Sequence, residues 1–473
     1  MLHPRPAVAC SLLLSGVLAV RVQQTTPQPA PRDPLRELAT SIADGFTLAA
    51  VGDCIIARPV SQTPGFAPVG KLIRDADAGF GNFEGTALDL TRTPAVPQAE
   101  FGGVWIIGSP AVAADLKSIG FDLNVARGQP RYIEGMRATT RALDEAGIVH
   151  AGVGEHRAAA RGARYFDTDK GRVALISLAS TFTPLSRSAP PAGEAPGRPG
   201  MNALRTTRHA FVTPDELRML RRMRDEQPAG SIRPPGKEPP DELELFGVHY
   251  KASDRRGFSY TMDPTDEREI LKSVRAAKQL SDFVIVTIHA HEPGNWSETP
   301  ADFLPKLAHE AIDAGADAFV GHGPHQLRGI EVYRGKPVFY SLGNFIFQLD
   351  LLAPVASDLY EQYKMDSAIA TDGEFNAMWN ERVFGGDVWY QSVVATSRFE
   401  KGQLAEIQLR PIDLSYAARG ADGGVPRPAT AEVARTILER VARLSQPFGA
   451  RVMIERGVGV IRYPPAPTSD ARK

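Results

Sequence analysis

The sequence predicts an α/β fold with mixed sheets, and two observations support this. From about residue 44, short apolar segments alternate with amphipathic ones, which is the pattern of βα units in a parallel or mixed sheet. Several amphipathic segments also begin with residues that start helices. The chain has 473 residues, enough for one large domain with additions. We therefore expect a single principal α/β domain.

The predicted strands are short apolar runs rich in β-branched residues. They are FTLAAV (46–51), ARYF (163–166), RVALISLA (172–179), FVIVTIHA (283–290) and DAFVGH (317–322). Two of the helices between them have clear start signals. Thr213, followed by Pro214 and Glu216, begins one, and Asp263, followed by Pro264, begins the other.

Other segments interrupt this alternation. Residues 186–200 and 225–242 are rich in Pro and Gly and are predicted loops. We divide the chain into a signal or anchor with a Pro-rich tether (1–43), a principal domain (44–350), an aromatic and acidic insertion (351–390), and a C-terminal hairpin, helix and ribbon that complete the domain (391–473).

The N-terminus has the features of an export signal. Arg5 precedes an apolar run at 7–20 that is short for a membrane span, and a polar, Pro-rich tract follows it. We expect an exported protein, periplasmic or at the cell surface, with this segment either cleaved or kept as an anchor. Only Cys10 and Cys54 are present, so a cleaved product has a single thiol and no internal disulfide.

Composition argues against nucleic acid as a partner. Hydrophobic residues make up 43% of the chain, charged residues 23%, and the formal net charge is −1. Proteins that bind nucleic acid usually carry a basic patch and a high isoelectric point. This balance is instead typical of an ordinary globular protein.

Polar residues that could bind a metal follow several predicted strands. Carboxyl ends of strands in open α/β sheets are where ligands gather, so we expect these side chains to converge at one edge of a sheet. Four of the ten histidines are among them. Mixed imidazole and carboxylate ligands suit Zn²⁺, Mn²⁺ or Fe, as one or two ions. The residues are Asp53, Asn82, Glu84, His289, His291, His322 and His325.

Each of these residues also has an ordinary structural explanation. An Asp after a strand commonly caps a turn, an isolated Glu84 is a surface charge, and a single His at a strand end is usually a packed, hydrogen-bonded residue. Two features favour the metal site. His289 and His291 are two apart on a strand end and point to one face. His322 and His325 lie on a turn whose glycines allow close backbone approach.

Four segments in this order resemble the CapA family of bacterial capsule and poly-γ-glutamate synthesis proteins, a branch of the calcineurin-like metallophosphoesterase superfamily. The resemblance covers residues 46–348 and implies a four-layer α/β/β/α sandwich with mixed sheets and metal ligands at the strand ends. It also implies an acidic polymer or phosphorylated substrate and capsule synthesis membrane proteins as partners. The segments are GDCIIAR, GNFEG, VTIHAHE and GADAFVGHGPHQLRGIEVYRGKPVFYSLGNFIF.

The resemblance also assigns roles to individual residues. Asp53 and His291 become the catalytic residues, with His291 as proton donor. Asn82 and Arg58 are expected close to the metal, and Glu292 as the partner of an imidazole. Arg205 either contacts an anionic substrate or forms a structural salt bridge. The implied metal ligands are Asp53, Glu84, His289, His322 and His325.

One segment departs from the family pattern. Where the family carries a segment resembling LANNH, residues 121–136 read FDLNVARGQPRYIEGM and contain no His. Asn124 is the one candidate to replace the Asn of that segment. Three functions therefore remain open: an exported metal-dependent hydrolase of a phosphoester or acidic-polymer bond, a noncatalytic binding component of a capsule synthesis and export assembly, and an intracellular phosphatase whose apolar N-terminus comes from a misassigned start.

Overall fold

A computed structural model describes residues 40–93, 106–126, 133–231, 236 and 238–464. The predicted signal and most of the tether lie outside the described residues, as does the middle of the 121–136 segment. Among the described helices, none is both long and apolar enough to cross a bilayer.

The described chain contains short strands throughout its length. In chain order they are β1 (Phe46–Ile55), β2 (Ala78–Phe83), β3 (Thr86–Ala87), β4 (Ile107–Gly108), β5 (Leu123–Ala126), β6 (Val149–Ala151), β7 (Val153–Gly154), β8 (Arg164–Thr168), β9 (Gly171–Ala179), β10 (Gly200–Met201), β11 (Thr206–Val212), β12 (Glu242–Leu245), β13 (Val248–Ala252), β14 (Gly257–Met262), β15 (Phe283–His289), β16 (Ala318–His322), β17 (Ile330–Tyr333), β18 (Lys336–Phe339), β19 (Asn344–Phe347), β20 (Gln391–Glu400), β21 (Gln403–Asp413), β22 (Arg427–Pro428), β23 (Met453–Glu455) and β24 (Val458–Arg462).

The α-helices connect these strands. They are α1 (Ala67–Arg74), α2 (Ala111–Ile119), α3 (Ile133–Glu145), α4 (Arg157–Arg161), α5 (Pro214–Asp225), α6 (Pro264–Lys278), α7 (Phe303–Asp313), α8 (Ser357–Gln362), α9 (Asp372–Phe384) and α10 (Ala431–Ser445). Both predicted helix starts are confirmed. Thr213 forms a capping box with Glu216 at α5, and the Asp263 side chain accepts from the backbone N–H groups of Thr265 and Asp266 at α6.

Two large mixed sheets form the body of the fold. The ten-stranded sheet runs β23-β24-β21-β20-β1-β2-β5-β6, with β19 also paired to β1 and β22 to β21. The six-stranded sheet runs β17-β18-β16-β15-β9-β8. The strand candidates of the sequence all fall in these sheets, and the predicted C-terminal hairpin is β20–β21, closing between Glu400 and Gln403.

The sheets pack face to face, and helices cover both outer faces. Phe46 and Phe399 of one sheet contact Phe283 of the other, with ring centroids 5.1 Å and 4.8 Å from Phe283. Apolar residues of α1 and α2 pack outside the larger sheet, and those of α6 and α7 pack outside the smaller one. This is the four-layer α/β/β/α sandwich expected from the sequence.

A separate four-stranded sheet, ordered β12-β13-β11-β14, was not foreseen from the sequence. Its strands are short, and most of their side chains are half-buried or exposed, so the apolar alternation that marks a strand is weak. A small cluster of Leu217, Leu243 and Leu245 attaches α5 to it.

Residues 351–390 form structure of their own. They contain α8 and α9, whose Phe375, Trp379 and Phe384 belong to the hydrophobic core outside the ten-stranded sheet. Several aromatic residues of this predicted insertion are therefore core residues.

Candidate metal centre

Asp53 is held at the centre of a polar cluster by the strand order. Within the ten-stranded sheet, β1 pairs in parallel with β2 and β19, placing Asp53 opposite Asn82 on one side and Asn344 on the other. Asp53 is completely buried. Its Oδ1 accepts from Asn82 Nδ2 at 2.6 Å, and its Oδ2 accepts from the backbone N–H of Gly323 at 3.1 Å.

The histidines come from the other sheet. Strands β15 and β16 are parallel, and His289 at the end of β15 lies opposite His322 at the end of β16. His322 Nδ1 is 3.3 Å from Asp53 Oδ1, and His325 Nδ1 is 3.5 Å from Asp53 Oδ2. The expectation that these residues end strands of a single sheet is wrong. The cluster lies between the two sheets because their strand ends face each other across the sandwich.

The turn after β16 brings His325 back to the cluster. Gly323 has φ of +109°, and His325 itself has φ of +58°, which is unusual for a residue other than glycine. A Cβ added at Gly323 would lie 2.9 Å from His289 Nε2. Glycine is therefore needed at 323 for both its conformation and its close contact with the imidazole.

Glu84 and His291 complete the cluster. Glu84 follows β2, with Oε1 3.6 Å from His289 Nε2 and Oε2 3.9 Å from His325 Nδ1. His289 Nε2 and His291 Nε2 are 2.7 Å apart. On its other side His291 Nδ1 contacts Asn295 Oδ1 at 2.7 Å.

These side chains form two groups that could each hold a cation. One consists of Glu84, His289 and His291, and the other of Asp53, Glu84 and His325; within each group the ligand atoms all lie within 4.8 Å of one another. Glu84 belongs to both. The donors are imidazole nitrogens and carboxylate oxygens, which suit Zn²⁺, Mn²⁺ or Fe.

Two buried polar atoms also fit a cation. Among the described residues, no hydrogen-bond partner faces Asn82 Oδ1 or His322 Nε2. A buried polar atom without a partner is costly, and a metal ion is one way to satisfy it. The residues present therefore fit a divalent metal ion.

Charge complementarity stabilises the ionised form of Asp53. Burial, the largest single influence, would raise the pKa of Asp53, but hydrogen bonds and charge interactions with His322 and His325 bring it well below its ordinary value. Burial would lower the pKa of His325, yet the charges of Glu84 and Asp53 raise it overall. Burial, with the charges of Asp53 and Glu84, raises the pKa of the Cys54 thiol. Cys54 is thus a protonated, completely buried core residue.

The remaining predicted site residues lie farther from this cluster or have other partners. Arg58 has an exposed side chain, and its backbone N–H donates to Gln348 Oε1 at 3.0 Å. Glu292 accepts from the hydroxyls of Ser180 and Thr181, at 2.8 and 3.0 Å. The side chain that meets His291 Nδ1 is that of Asn295, which the sequence did not single out.

Arg205 has a structural environment. Its Nε lies 2.6 Å from Asp266 Oδ2 and its Nη2 2.9 Å from Asp263 Oδ1, both at the start of α6. Of the two roles considered from the sequence, this geometry corresponds to the salt bridge.

Asn344 is a further residue that sequence reasoning missed. It is fully buried, its Oδ1 lies 3.1 Å from His325 Nδ1, and its Nδ2 donates to the carbonyls of His325 and Trp389. A signal was present: the tripeptide GNF occurs at 81–83 and again at 343–345. Both copies flank β1, so both asparagines adjoin Asp53.

The insertion provides part of the wall of this site. The Phe384 ring lies edge-on to His325, with ring centroids 5.5 Å apart, and also packs on Phe347 at 5.2 Å. The segment that departs from the family pattern begins in β5, where Asn124 lies opposite Gly81 of β2. Residues 127–132, within that segment, lie outside the described residues.

The fold and site together define a four-layer α/β protein with a histidine–carboxylate centre between its two sheets. The same strand-end segments carried the resemblance to the CapA family. The chain belongs to the bacterial capsule synthesis protein family PGA_cap, whose profile matches residues 47–349. The family resemblance drawn from the sequence is thereby confirmed.

Relatives show how far this similarity extends. The chain is 48% identical to the uncharacterized protein y4sH of Sinorhizobium fredii, covering 90% of this chain and 94% of the relative. It is 24% identical to the capsule biosynthesis protein CapA of Bacillus anthracis, covering 69% of this chain and 65% of that protein. It is 43% identical to the PGA biosynthesis protein CapA of Bacillus subtilis over 18% of this chain and 22% of that protein.

Proposed function

We propose that this chain is an exported accessory protein of capsule or poly-γ-glutamate synthesis that hydrolyses a phosphoester or acidic-polymer bond with the help of bound divalent metal. The observation that carries the proposal is the pair of ligand groups that share Glu84 and are buried except at His291. Export is supported by Arg5 and the apolar run at 7–20. The role in capsule or polymer synthesis is supported by the family and by the similarity to the CapA proteins of capsule and PGA biosynthesis.

The side chains of such a site would bind the metal or transfer a proton. Asp53, Glu84, His289, His291 and His325 would hold the metal, and Asn82 and His322 offer further donor atoms. Divalent ions in such sites act as Lewis acids and lower the pKa of water. His291 is half-buried while the other ligands are buried, so solvent and substrate reach the cluster on its side. When its Nε2 does not bind the metal, His291 is also the residue best placed to move a proton at that atom, because Asn295 orients its other nitrogen.

A Glu84→Gln variant tests the proposal. Glu84 belongs to both ligand groups, so we expect the metal content of the purified protein to fall and hydrolysis to decrease by at least about 10²-fold, since even outer partners of ligands are worth about 10 to 10². The assay uses an aryl phosphate and a γ-linked glutamate oligomer with Mn²⁺ or Zn²⁺. Glu244→Gln, an exposed position on the four-stranded sheet, is the matched control. Equal metal content and turnover in Glu84→Gln and the natural chain would contradict the proposal.

One sequence observation favours a second candidate, a noncatalytic binding component of a capsule synthesis and export assembly. Residues 121–136 contain no histidine where the family carries one, and proton transfer by such a residue contributes about 10² to 10⁴ in rate. On this account the natural chain is a weak phosphoesterase that still binds metal. The same assay on a chain with residues 125–129 rebuilt to the family-like segment separates the candidates. Hydrolysis restored by rebuilding identifies a hydrolase fold with an impaired site, and high turnover of the natural chain excludes the noncatalytic candidate.

A further inference from the structure

The centre is most accessible beside His291. Of the six residues Asp53, Glu84, His289, His291, His322 and His325, five are at most 5% exposed and His291 is half-buried. Residues 292–298 follow His291 directly, and Asn295 in this segment contacts its ring. The loop 292–298 therefore borders the accessible side of the centre.

A buried arginine holds this loop through hydrogen bonds to its backbone carbonyls. Arg328 is fully buried, and its guanidinium donates to the carbonyl of Ser297 at 3.1 Å and to that of Gly294 at 3.3 Å. The Gln326 side-chain amide donates to the carbonyl of Asn295. A buried charge is costly unless it is hydrogen-bonded, so these backbone carbonyls stabilise the guanidinium and are held in place by it.

The end of the loop is anchored to α10. Glu298 lies 2.9 Å from Arg443 and 3.2 Å from Arg440. Two guanidinium groups meet one carboxylate here, and Arg443 keeps 58% of its side chain exposed. An exposed guanidinium beside the loop favours an anionic ligand.

At the middle of this fixed loop, Trp296 is 80% exposed. Tryptophan is on average a highly buried residue, because its large ring gains much from leaving water. Its ring lies over Gly294: a Cβ added at that glycine would come within 2.4 Å of Trp296 Cζ2. The indole is thus held in one place with most of its surface in solvent.

We propose that Trp296 is a substrate-contacting residue, on whose indole the amide planes and methylene groups of an acidic polymer chain pack as it extends from the metal centre past His291. This inference rests on the proposed function. A small phosphoester would place its charged group at the metal and gain little from an indole surface. A γ-linked glutamate chain offers flat amides and apolar methylenes for the ring, with carboxylates for the exposed guanidinium of Arg443.

Binding of a γ-linked glutamate decamer to the Mn²⁺-loaded full chain, followed by calorimetry, tests the inference. We expect Trp296→Ala to raise Kd about tenfold, which corresponds to about 1.4 kcal/mol, and Trp296→Phe to retain most of the affinity. Gly294→Ala should also raise Kd, because the added Cβ would shift the Trp296 indole from its position without removing it from the protein. Phe246→Ala, which removes another exposed aromatic ring on the four-stranded sheet, should not change Kd.

Hydrolysis of the decamer is measured in parallel, so that the two proposals can fail separately. A tenfold effect of Trp296→Ala on Kd without hydrolysis by any variant would support the role of Trp296 and count against the hydrolase. Unchanged Kd in Trp296→Ala would overturn the role of Trp296 even if the natural chain hydrolyses the decamer. Failure of the natural chain to bind the decamer would overturn it as well.

Discussion

Asn82 sets the direction of hydrogen bonding through the centre. Its amide nitrogen must face the Asp53 carboxylate, 2.6 Å away, because the amide oxygen would be repelled there. The same nitrogen lies 3.2 Å from His289 Nδ1, which therefore accepts and leaves the proton on Nε2. That proton points to His291 Nε2, and His291 Nδ1 then donates to Asn295. One amide thus assigns the tautomers of two imidazoles. Binding of a cation at His289 Nε2 would require the proton of this ring to move to Nδ1 and the Asn82 amide to turn, so that its oxygen accepts from Nδ1.

Changing His322 and His325 together to Ala should remove the stoichiometric bound metal, because both rings flank Asp53 within 3.5 Å. Metal is measured by elemental analysis of the purified protein, and circular dichroism should show a folded chain. A double variant at His249 and His309, which lie outside the cluster, serves as control. Full metal content in the His322 and His325 variant would mean that these histidines are structural.

At the scale of elements, the start of α6 anchors the segment that follows β10. Asp266 in its first turn is 2% exposed and lies 2.6 Å from both Arg161 Nη2 and Arg205 Nε. Burial would raise the pKa of Asp266, but the hydrogen bonds from Arg205 and Arg161 lower it overall. Arg205, for which the sequence left a substrate contact open, thus belongs to a network that connects α4, α6 and the residue before β11.

The second prediction concerns this network. Asp266→Asn leaves Arg161 buried without its charge partner, so we expect the free energy of unfolding to fall by about 3 kcal/mol in urea denaturation at pH 7. Because the pKa of Asp266 is lower in the folded chain, its contribution is complete above the ordinary value of 3.8 and is lost as the pH falls through the folded-state pKa. The difference between the two proteins should therefore shrink in strongly acidic solution. Asp215→Asn, at an exposed pair with Arg218, should change stability little. A comparable loss in both variants would argue against a special role for the buried network.

At the scale of the whole molecule, the sandwich explains why the centre is buried. Each sheet supplies ligands from its own strand ends, and the core between the sheets excludes water on one side. The predicted insertion contributes Phe384 to the opposite side. Ligands that are far apart in sequence are therefore held by packing of the entire domain, so disruption of the sandwich core should cost metal affinity as well as stability.

The third prediction concerns the whole chain in the cell. If the apolar run at 7–20 is a cleaved export signal, the protein recovered from the exported fraction should begin after that run. Intact-mass measurement of the purified exported protein determines the first residue. A chain retaining Met1 in the exported membrane fraction would identify an anchor, and an intact chain confined to the cytosol would contradict export.

Local patterns in the sequence were sufficient for the elements and for identifying most side chains of the candidate metal centre. The apolar runs predicted β1, β9, β15 and β16, and the caps at Thr213 and Asp263 predicted α5 and α6, because both signals depend on neighbouring residues alone. Asp53, Glu84 and the four strand-end histidines were identifiable because metal-binding side chains after strands are chemically distinctive. The four-stranded sheet was missed since its exposed strands lack that alternation.

Only the tertiary structure decided how these pieces meet. It placed Asp53 and the histidines on different sheets and brought Asn344 beside His325. It also showed that His291 Nδ1 contacts Asn295 and that Arg205 forms a salt bridge with Asp266. These pairings join residues distant in sequence through strand register and sheet packing. The physical reason is that local propensity fixes which segments are strands, whereas the partners of their side chains depend on which sheet each strand joins and how the two sheets stack.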